Sequence, residues 1–457
     1  MSSNVQPTTL WFARALLPQG WAAGVRLTLA QGRIADIEPG VPAAQGDERH
    51  AIGLPGLPNL HSHAFQRGMA GLAERRGPSS DSFWTWRETM YRFVDRIGPA
   101  ELEAIAALAF AEMLESGFTR VGEFHYLHHD PEGRRYADPA EMAAAVAAAA
   151  AQTGIALTLL PVFYAHSGFG GAAPGHGQRR FVNDPQGFAE LVAASARAIA
   201  PLADAVIGVA PHSLRAVTPG ELAAILPLAP DGPVHIHVAE QVREVEDCLA
   251  WSGARPVEWL LDHAPVDGRW CLVHATHMTE EETRRLAASQ AVAGLCPITE
   301  ANLGDGLFPA GTFLAAGGRF GVGSDSNVFV DATEELRLLE YGQRLAMRGR
   351  NLLAGGEGRS TGGDLFRAAL AGGAQALGAP AALEKGGSAD IVGLEAGHPA
   401  LVGRQDDALL DALVFAGGRS LIDCVWREGR KRVRQGRHVE RDVIVARYGR
   451  VLQDLIA

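Results

Sequence analysis

Residues 53–71 read GLPGLPNLHSHAFQRGMAG, and the organisation of the chain follows from them. A proline-punctuated apolar run, 54–60, stops abruptly at His61-Ser62-His63. On a strand, side chains two residues apart share a face, so both imidazoles can reach one ion. Neutral imidazole is a common ligand for zinc-like ions. A lone HxH is a short motif that chance also supplies. Its weight comes from a series of further polar groups downstream, each closing an apolar stretch.

From residue 54 onward, apolar runs alternate with helical patterns. Strands are expected at 54–60, 118–124, 155–164, 205–210, 233–238, 270–274, 292–296 and 319–323. Helices are expected at 99–116, 139–153, 185–200, 219–226, 241–251, 279–289 and 333–348. Gly117 and Gly154 stand where a helix needs a residue able to take positive φ, and Thr279 stands as an N-cap. Eight strands with helices between most of them over about 300 residues indicate a (β/α)8 barrel. The flanks have a different texture. Short strands at 10–13, 25–30 and 33–38 precede the barrel, and strands at 389–394, 409–415, 424–427 and 431–433 follow it, before a closing helix at 441–455. Both ends are therefore expected to fold together into one small β domain. The long loop 165–183, rich in glycine and histidine, is expected to lie over a site.

Composition narrows the function classes. The chain has 457 residues, 47% of them hydrophobic and 20% charged, as in ordinary globular proteins. Its net charge of −11 and the lack of a basic stripe exclude nucleic acid and acidic membranes as expected partners. No apolar run is long enough for a membrane span, and no secretory signal is visible, so a cytoplasmic location is expected. Four scattered cysteines without a CxxC pair read as buried thiols. Lys385 and Lys431 are the only lysines, which removes a Walker A loop and disfavours Schiff-base chemistry.

In a barrel, side chains at the C-terminal strand ends converge on one site. Here those ends carry His61 and His63, then Tyr126, then His212 and Arg215. They continue with His235, His237 and Glu240, then His274 and His277, and finally Asp325. Each has an ordinary explanation alone: a structural histidine, a turn-capping aspartate, a first-turn glutamate favoured by the helix dipole. A coincidence at so many strand ends favours a shared site.

This series resembles the mononuclear deaminase branch of the amidohydrolase superfamily: HSH on strand one, HxxE on strand five, His on strand six and SD on strand eight. The resemblance implies a metal-dependent barrel over 57–385 and a small β-sandwich built from 1–56 and 386–457. It implies that His61, His63, His237 and Asp325 hold a metal and that Glu240, His274 and Asp325 act in catalysis. His235, two residues deeper, matches a non-ligand position. Strand four has neither lysine nor carboxylate to bridge a second ion, so one divalent metal is expected, with zinc suited to the histidine-rich set.

The longer stretches HSHAFQRGMAGLAERRG, FWTWRETMYRF, EFHYLHH, APHSLRAVTP and VHIHVAEQ are similar to the formimidoylglutamate deiminases within that superfamily. By this resemblance Gln66, Arg87, Tyr126, His212 and Arg215 bind substrate. The expected reaction is hydrolysis of a C=N bond with loss of ammonia, converting N-formimino-L-glutamate to N-formyl-L-glutamate in histidine degradation. Two arginines suit a dicarboxylate, because guanidinium forks pair bidentately with carboxylates. Arg87 also reads as a surface residue of a helix beside Trp84 and Trp86. The nearest alternative is another mononuclear deaminase acting on guanine, cytosine or an S-adenosylhomocysteine-like substrate. A metal-binding protein without catalysis, or a scaffold barrel, needs neither Glu240 nor His274. The expected partner is a small anionic amino-acid derivative, and the expected assembly a homodimer.

Overall fold

The computed structural model describes residues 8–74, 76, 83–395 and 397–456. Arg75 and Gly77, at the end of the first resemblance stretch, lie outside the described residues.

Among the described residues, eight parallel strands, the fourth in two pieces, follow one another around a ring. Leu57–Ser62 pairs with Phe118–His125, which pairs with Ala156–Phe163, and this pairs with both Val206–Ile207 and Ala210–Pro211. Val234–Val238, Trp270–His274, Val292–Leu295 and Arg319–Val322 continue the order. Parallel bridges join Val209 to Val234 and Ser62 to Asp325, which closes the ring. The near-continuous apolar runs of the sequence are explained by strands covered on both faces.

The first strand differs from expectation. Leu54 and Pro55 end a strand of the outer sheet, Glu48–Pro55, and the barrel strand starts at Leu57. Gly56 sits between the two because a Cβ there would collide with the Thr119 side chain. The fourth strand, expected as one run, is two two-residue pieces.

Several helix ends carry the capping chemistry that the sequence signalled. Thr279 accepts Glu282 N–H and Asp184 accepts Gly187 N–H, and Gly154 closes Glu141–Thr153 at φ +80°. The glycine-rich helix Thr361–Ala376 escapes a propensity reading. Its glycines are spent on close approach: at Gly372 a Cβ would meet the Phe320 backbone, and at Gly373 it would meet Pro58 at 3.0 Å.

Both chain ends meet in one eight-stranded sheet, in which Glu48–Pro55 lies between Thr8–Leu17 and Ile391–Leu394. Pairing is continuous through that sheet, with Leu10, Phe12, Val25, Leu27, Ile34, Ile391 and Trp426 in one buried cluster. The strand expected at 409–415 is instead the helix Asp407–Ala412 running into a wide turn at Leu413–Gly417. Leu409, Leu410, Leu413 and Val414 are buried at helical spacing, and period-two burial is absent there. Arg427, 3% exposed, joins sheet to barrel by pairing with Asp204 and, at 2.9 Å, with Asp390. No helix among the described residues is long and apolar enough to cross a membrane. The four cysteines are free and buried.

Candidate active site

The strand ends bend sharply where the chemistry sits. His274 (φ +67°), Ala275 (+48°), Ala239 (+53°), Asp325 (+44°) and Asn327 (+53°) all take left-handed backbone, a conformation costly for residues other than glycine. Hydrogen bonds hold the bends. Asn59 Nδ2 donates to Ser324 Oγ (2.6 Å), and Ser324 Oγ donates to Asn327 Oδ1 (2.6 Å). Asn327 Nδ2 donates to the carbonyls of His63 and Asp325 and to Ser62 Oγ. This network locks the first strand to the eighth. Glu123 adds to it by accepting Ala64 N–H at 2.7 Å.

His61, His63, His237 and Asp325, expected as metal ligands, offer ligand atoms within 4.8 Å of one another. His63 Nδ1 faces Phe124 O (3.0 Å) and His237 Nδ1 faces His212 O (3.1 Å). Those carbonyls only accept, so each Nδ1 carries the proton and each Nε2 turns a lone pair inward. His61 Nε2 lies 3.2 Å from His63 Nε2 and 3.0 Å from His237 Nε2. Asp325 Oδ1 lies 3.5 Å and 3.3 Å from the Nε2 atoms of His61 and His63. Bonds of about 2.05 Å to a tetrahedral ion put neighbouring donors about 3.3 Å apart, so this donor set fits a zinc-sized ion. Desolvation pushes His61 down to about 3 and His237 well below the usual imidazole range, which keeps both neutral. For Asp325, burial alone would raise the carboxyl, but its close contacts with the His61 and His63 rings hold it well below the usual range.

Above these ligands lies a cavity lined by His63, His237 and Asp325 together with all seven other expected site residues: Gln66, Arg87, Tyr126, His212, Arg215, Glu240 and His274. His61 sits beneath it, fully buried. His235 points away, with Nε2 on Ala376 O at 2.7 Å, and His277 is taken by Asp305 O at 2.8 Å. Gln66 Nε2 donates to the Tyr126 hydroxyl (2.9 Å), while its Oε1 is buried without a partner.

Arg87 lies on the helix Phe83–Val94 and stacks 4.5 Å over Trp84. Arg215 lies 5.9 Å from the same ring, and its Nε is buried without a partner. Burial alone would lower Arg215, but Glu244 and Glu240 outweigh it and keep the guanidinium charged.

Two groups have opposed titration. Desolvation, with help from Asp325 and Glu244, raises Glu240 to about 7 against the pull of His274 and Arg215. Burial would lower His274, but Glu240, the hydrogen bond to Glu300 and Asp325 together raise it to about 10. A carboxyl poised at neutrality beside a cationic imidazole is equipped to move a proton.

Sequence reading missed several cavity residues. Tyr91, Tyr164, Phe181, Met90 and Ser326 also line it. Tyr164 immediately precedes the loop 165–183 and Phe181 lies within it, so that loop contributes to the wall. Met90 and Tyr91 fall inside the stretch FWTWRETMYRF without having been singled out, and Ser326 directly follows Asp325.

The chain matches the family described as Amidohydrolase family over residues 52–432, and the one described as formimidoylglutamate deiminase HutF, N-terminal domain, over residues 8–51. A formimidoylglutamate deiminase of Pseudomonas aeruginosa is 51% identical over 454 residues, 98% of this chain and 100% of that protein. A 5-methylthioadenosine/S-adenosylhomocysteine deaminase of Natronomonas pharaonis is 30% identical over 80% of each chain. The crystal structure of an amidohydrolase from Brucella melitensis superposes with a TM-score of 0.96 at 57% identity, covering 98% of this chain and 100% of that one. An adenosine deaminase from Xanthomonas campestris with bound zinc shares the fold at a TM-score of 0.80 and 22% identity, covering 98% of each chain.

Proposed function

This chain belongs to the amidohydrolase family, and on that premise we propose that it hydrolyses N-formimino-L-glutamate to N-formyl-L-glutamate and ammonia. One observation carries the reading: a cavity that joins the His/Asp quartet and the Glu240–His274 pair also presents two arginines, Arg87 and Arg215. The substrate has two carboxylates and one hydrolysable C=N carbon. A neutral nucleobase carries no carboxylates for two guanidinium forks to pair with. The full-length similarity to the Pseudomonas deiminase supports the same assignment.

His61, His63, His237 and Asp325 would hold one divalent ion, with zinc favoured by the donor set. One ion is proposed because the fourth strand, Val206–Ile207 with Ala210–Pro211, carries no lysine or carboxylate to bridge a second. When bound, such an ion lowers the pKa of water and polarises the substrate.

The remaining chemistry belongs to the chain. Arg87 and Arg215 hold the two carboxylates and so set the C=N carbon over the quartet. Asp325, ionised and acceptor-only, takes a proton from the attacking water. His274 faces the same centre with Nε2, 3.7 Å from Asp325 Oδ2, and stabilises negative charge developing there. Glu240, with Oε1 3.8 Å from His274 Nε2, carries a proton to the departing nitrogen. Tyr126, Tyr164 and Phe181 wall the cavity with aromatic surface.

The test is ammonia release from the purified protein with N-formimino-L-glutamate, guanine, cytosine and S-adenosylhomocysteine, together with elemental analysis. Turnover of the dicarboxylate alone supports the proposal. Preference for a nucleobase or nucleoside overturns it in favour of another deaminase, and no turnover by metal-loaded protein overturns catalysis itself.

A further inference from the structure

Glu300 lies behind the cavity wall rather than on it, in the short helix Pro297–Leu303, and is 5% exposed. Its Oε1 is 3.2 Å from His274 Nδ1. That same oxygen accepts the Cys296 N–H at 3.0 Å. Glu335 takes the next free amide, accepting Ile298 N–H at 2.9 Å. Glu300 is thereby left to serve Cys296 and His274 together.

This geometry determines where a proton sits. An oxygen already accepting a backbone N–H faces Nδ1 as an acceptor, so the proton at that contact belongs to Nδ1. His274 also needs holding. Its backbone and that of Ala275 have left the strand for positive φ, so the strand itself does not aim the ring. On the far side, Nε2 looks toward Glu240 Oε1 and Asp325 Oδ2.

We propose, resting on the deiminase reading above, that Glu300 is a positioning residue: its Oε1 fixes His274 with the proton on Nδ1 and aims Nε2 at the reacting centre. The arrangement is a carboxylate–imidazole pair in which the carboxylate orients and the imidazole acts. Glu300 touches no substrate and acts through His274 alone. The sequence offers no cue to it, because 26 residues separate the partners and each belongs to a different strand end.

The experiment combines ¹⁵N NMR of histidine-labelled protein with steady-state kinetics. The His274 signals are assigned by their loss in His274→Asn, and spectra are taken on both zinc-loaded and chelator-treated protein. Wild type is expected to show a hydrogen-bonded Nδ1–H at His274. Glu300→Met, which removes the acceptor, is expected to lose that signal and to lower kcat about 10–100-fold, the usual cost of an orienting partner, with KM and metal content held. Glu300→Gln keeps an acceptor oxygen, and is expected to restore the Nδ1–H signal and the greater part of kcat. His274 protonated only at Nε2 in wild type overturns the proposal, as does Glu300→Met with wild-type signal and kcat. Where Glu300→Met does not fold, wild type and Glu300→Gln decide by the spectrum alone. Absence of turnover by wild type would overturn the deiminase reading, while the spectra would still decide the placement of the proton.

Discussion

Arg215→Met separates anchoring from proton transfer at one position. The substitution keeps an unbranched apolar stem and removes the guanidinium. Truncating one partner of a desolvated charge pair costs about 2–5 kcal/mol. At about 1.4 kcal/mol per factor of ten, that is a loss of roughly 30- to 4,000-fold in kcat/KM for N-formimino-L-glutamate. The structure places Arg215 in the upper part of that range, because its Nε is buried without a protein partner and so gains most from a bound carboxylate. A second effect has a definite sign. Arg215 is among the groups that lower Glu240, which burial holds at about 7. Removing the cation therefore moves the Glu240 pKa upward, and the matching limb of the kcat–pH profile moves to higher pH. Arg87→Met is not among the causes of the Glu240 shift, so it is expected to weaken binding and leave that limb in place. The assay is ammonia release across pH for wild type and both variants, on the diacid and on its two monoamides, with melting curves and metal content alongside. A monoamide turned over as well as the diacid, or an Arg215→Met enzyme with unchanged kcat/KM and pH limb, refutes the anchoring argument.

Glu240→Gln is expected to keep its metal and lose about 10²–10⁴-fold in kcat, since the amide keeps the shape but cannot carry the proton; loss of metal with normal residual turnover would make Glu240 a ligand instead. Elemental analysis of active protein is expected to find about one ion per chain, and two tightly held ions in every active preparation would contradict the argument from the fourth strand. Arg427→Met is expected to destabilise the fold by about 1–3 kcal/mol, because it leaves Asp390 without its buried cation while Asp204 keeps only Arg120. Chemical denaturation measures this, and an unchanged midpoint would show that the sheet and barrel do not depend on the pair.

Local chemistry was legible wherever neighbours along the chain decide the outcome. His61 and His63 share a face because strand side chains alternate. Thr279 caps its helix and Gly154 closes another because those positions need an acceptor or positive φ. The order of polar groups at strand ends pointed to nine residues around one site, and the resemblance they carry added Gln66 and Arg87 and assigned the roles before any contact was known. Where burial rather than pattern decides, the reading failed. The run 409–415 is apolar enough for a strand, and only packing of Leu409, Leu410, Leu413 and Val414 makes it helical. Thr361–Ala376 received no element from the sequence, and its glycines make sense only with Gly372 and Gly373 seen against Phe320 and Pro58. The same holds for the site. That Glu240 is poised near neutrality, and that Glu300 shares one oxygen between Cys296 and His274, depends on desolvation and on contacts between distant strand ends. The sequence by itself determined which groups come to the rim of the barrel. Only the closed ring, by excluding water and bringing charges within a few ångströms, decided their protonation and which of them hold the others in place.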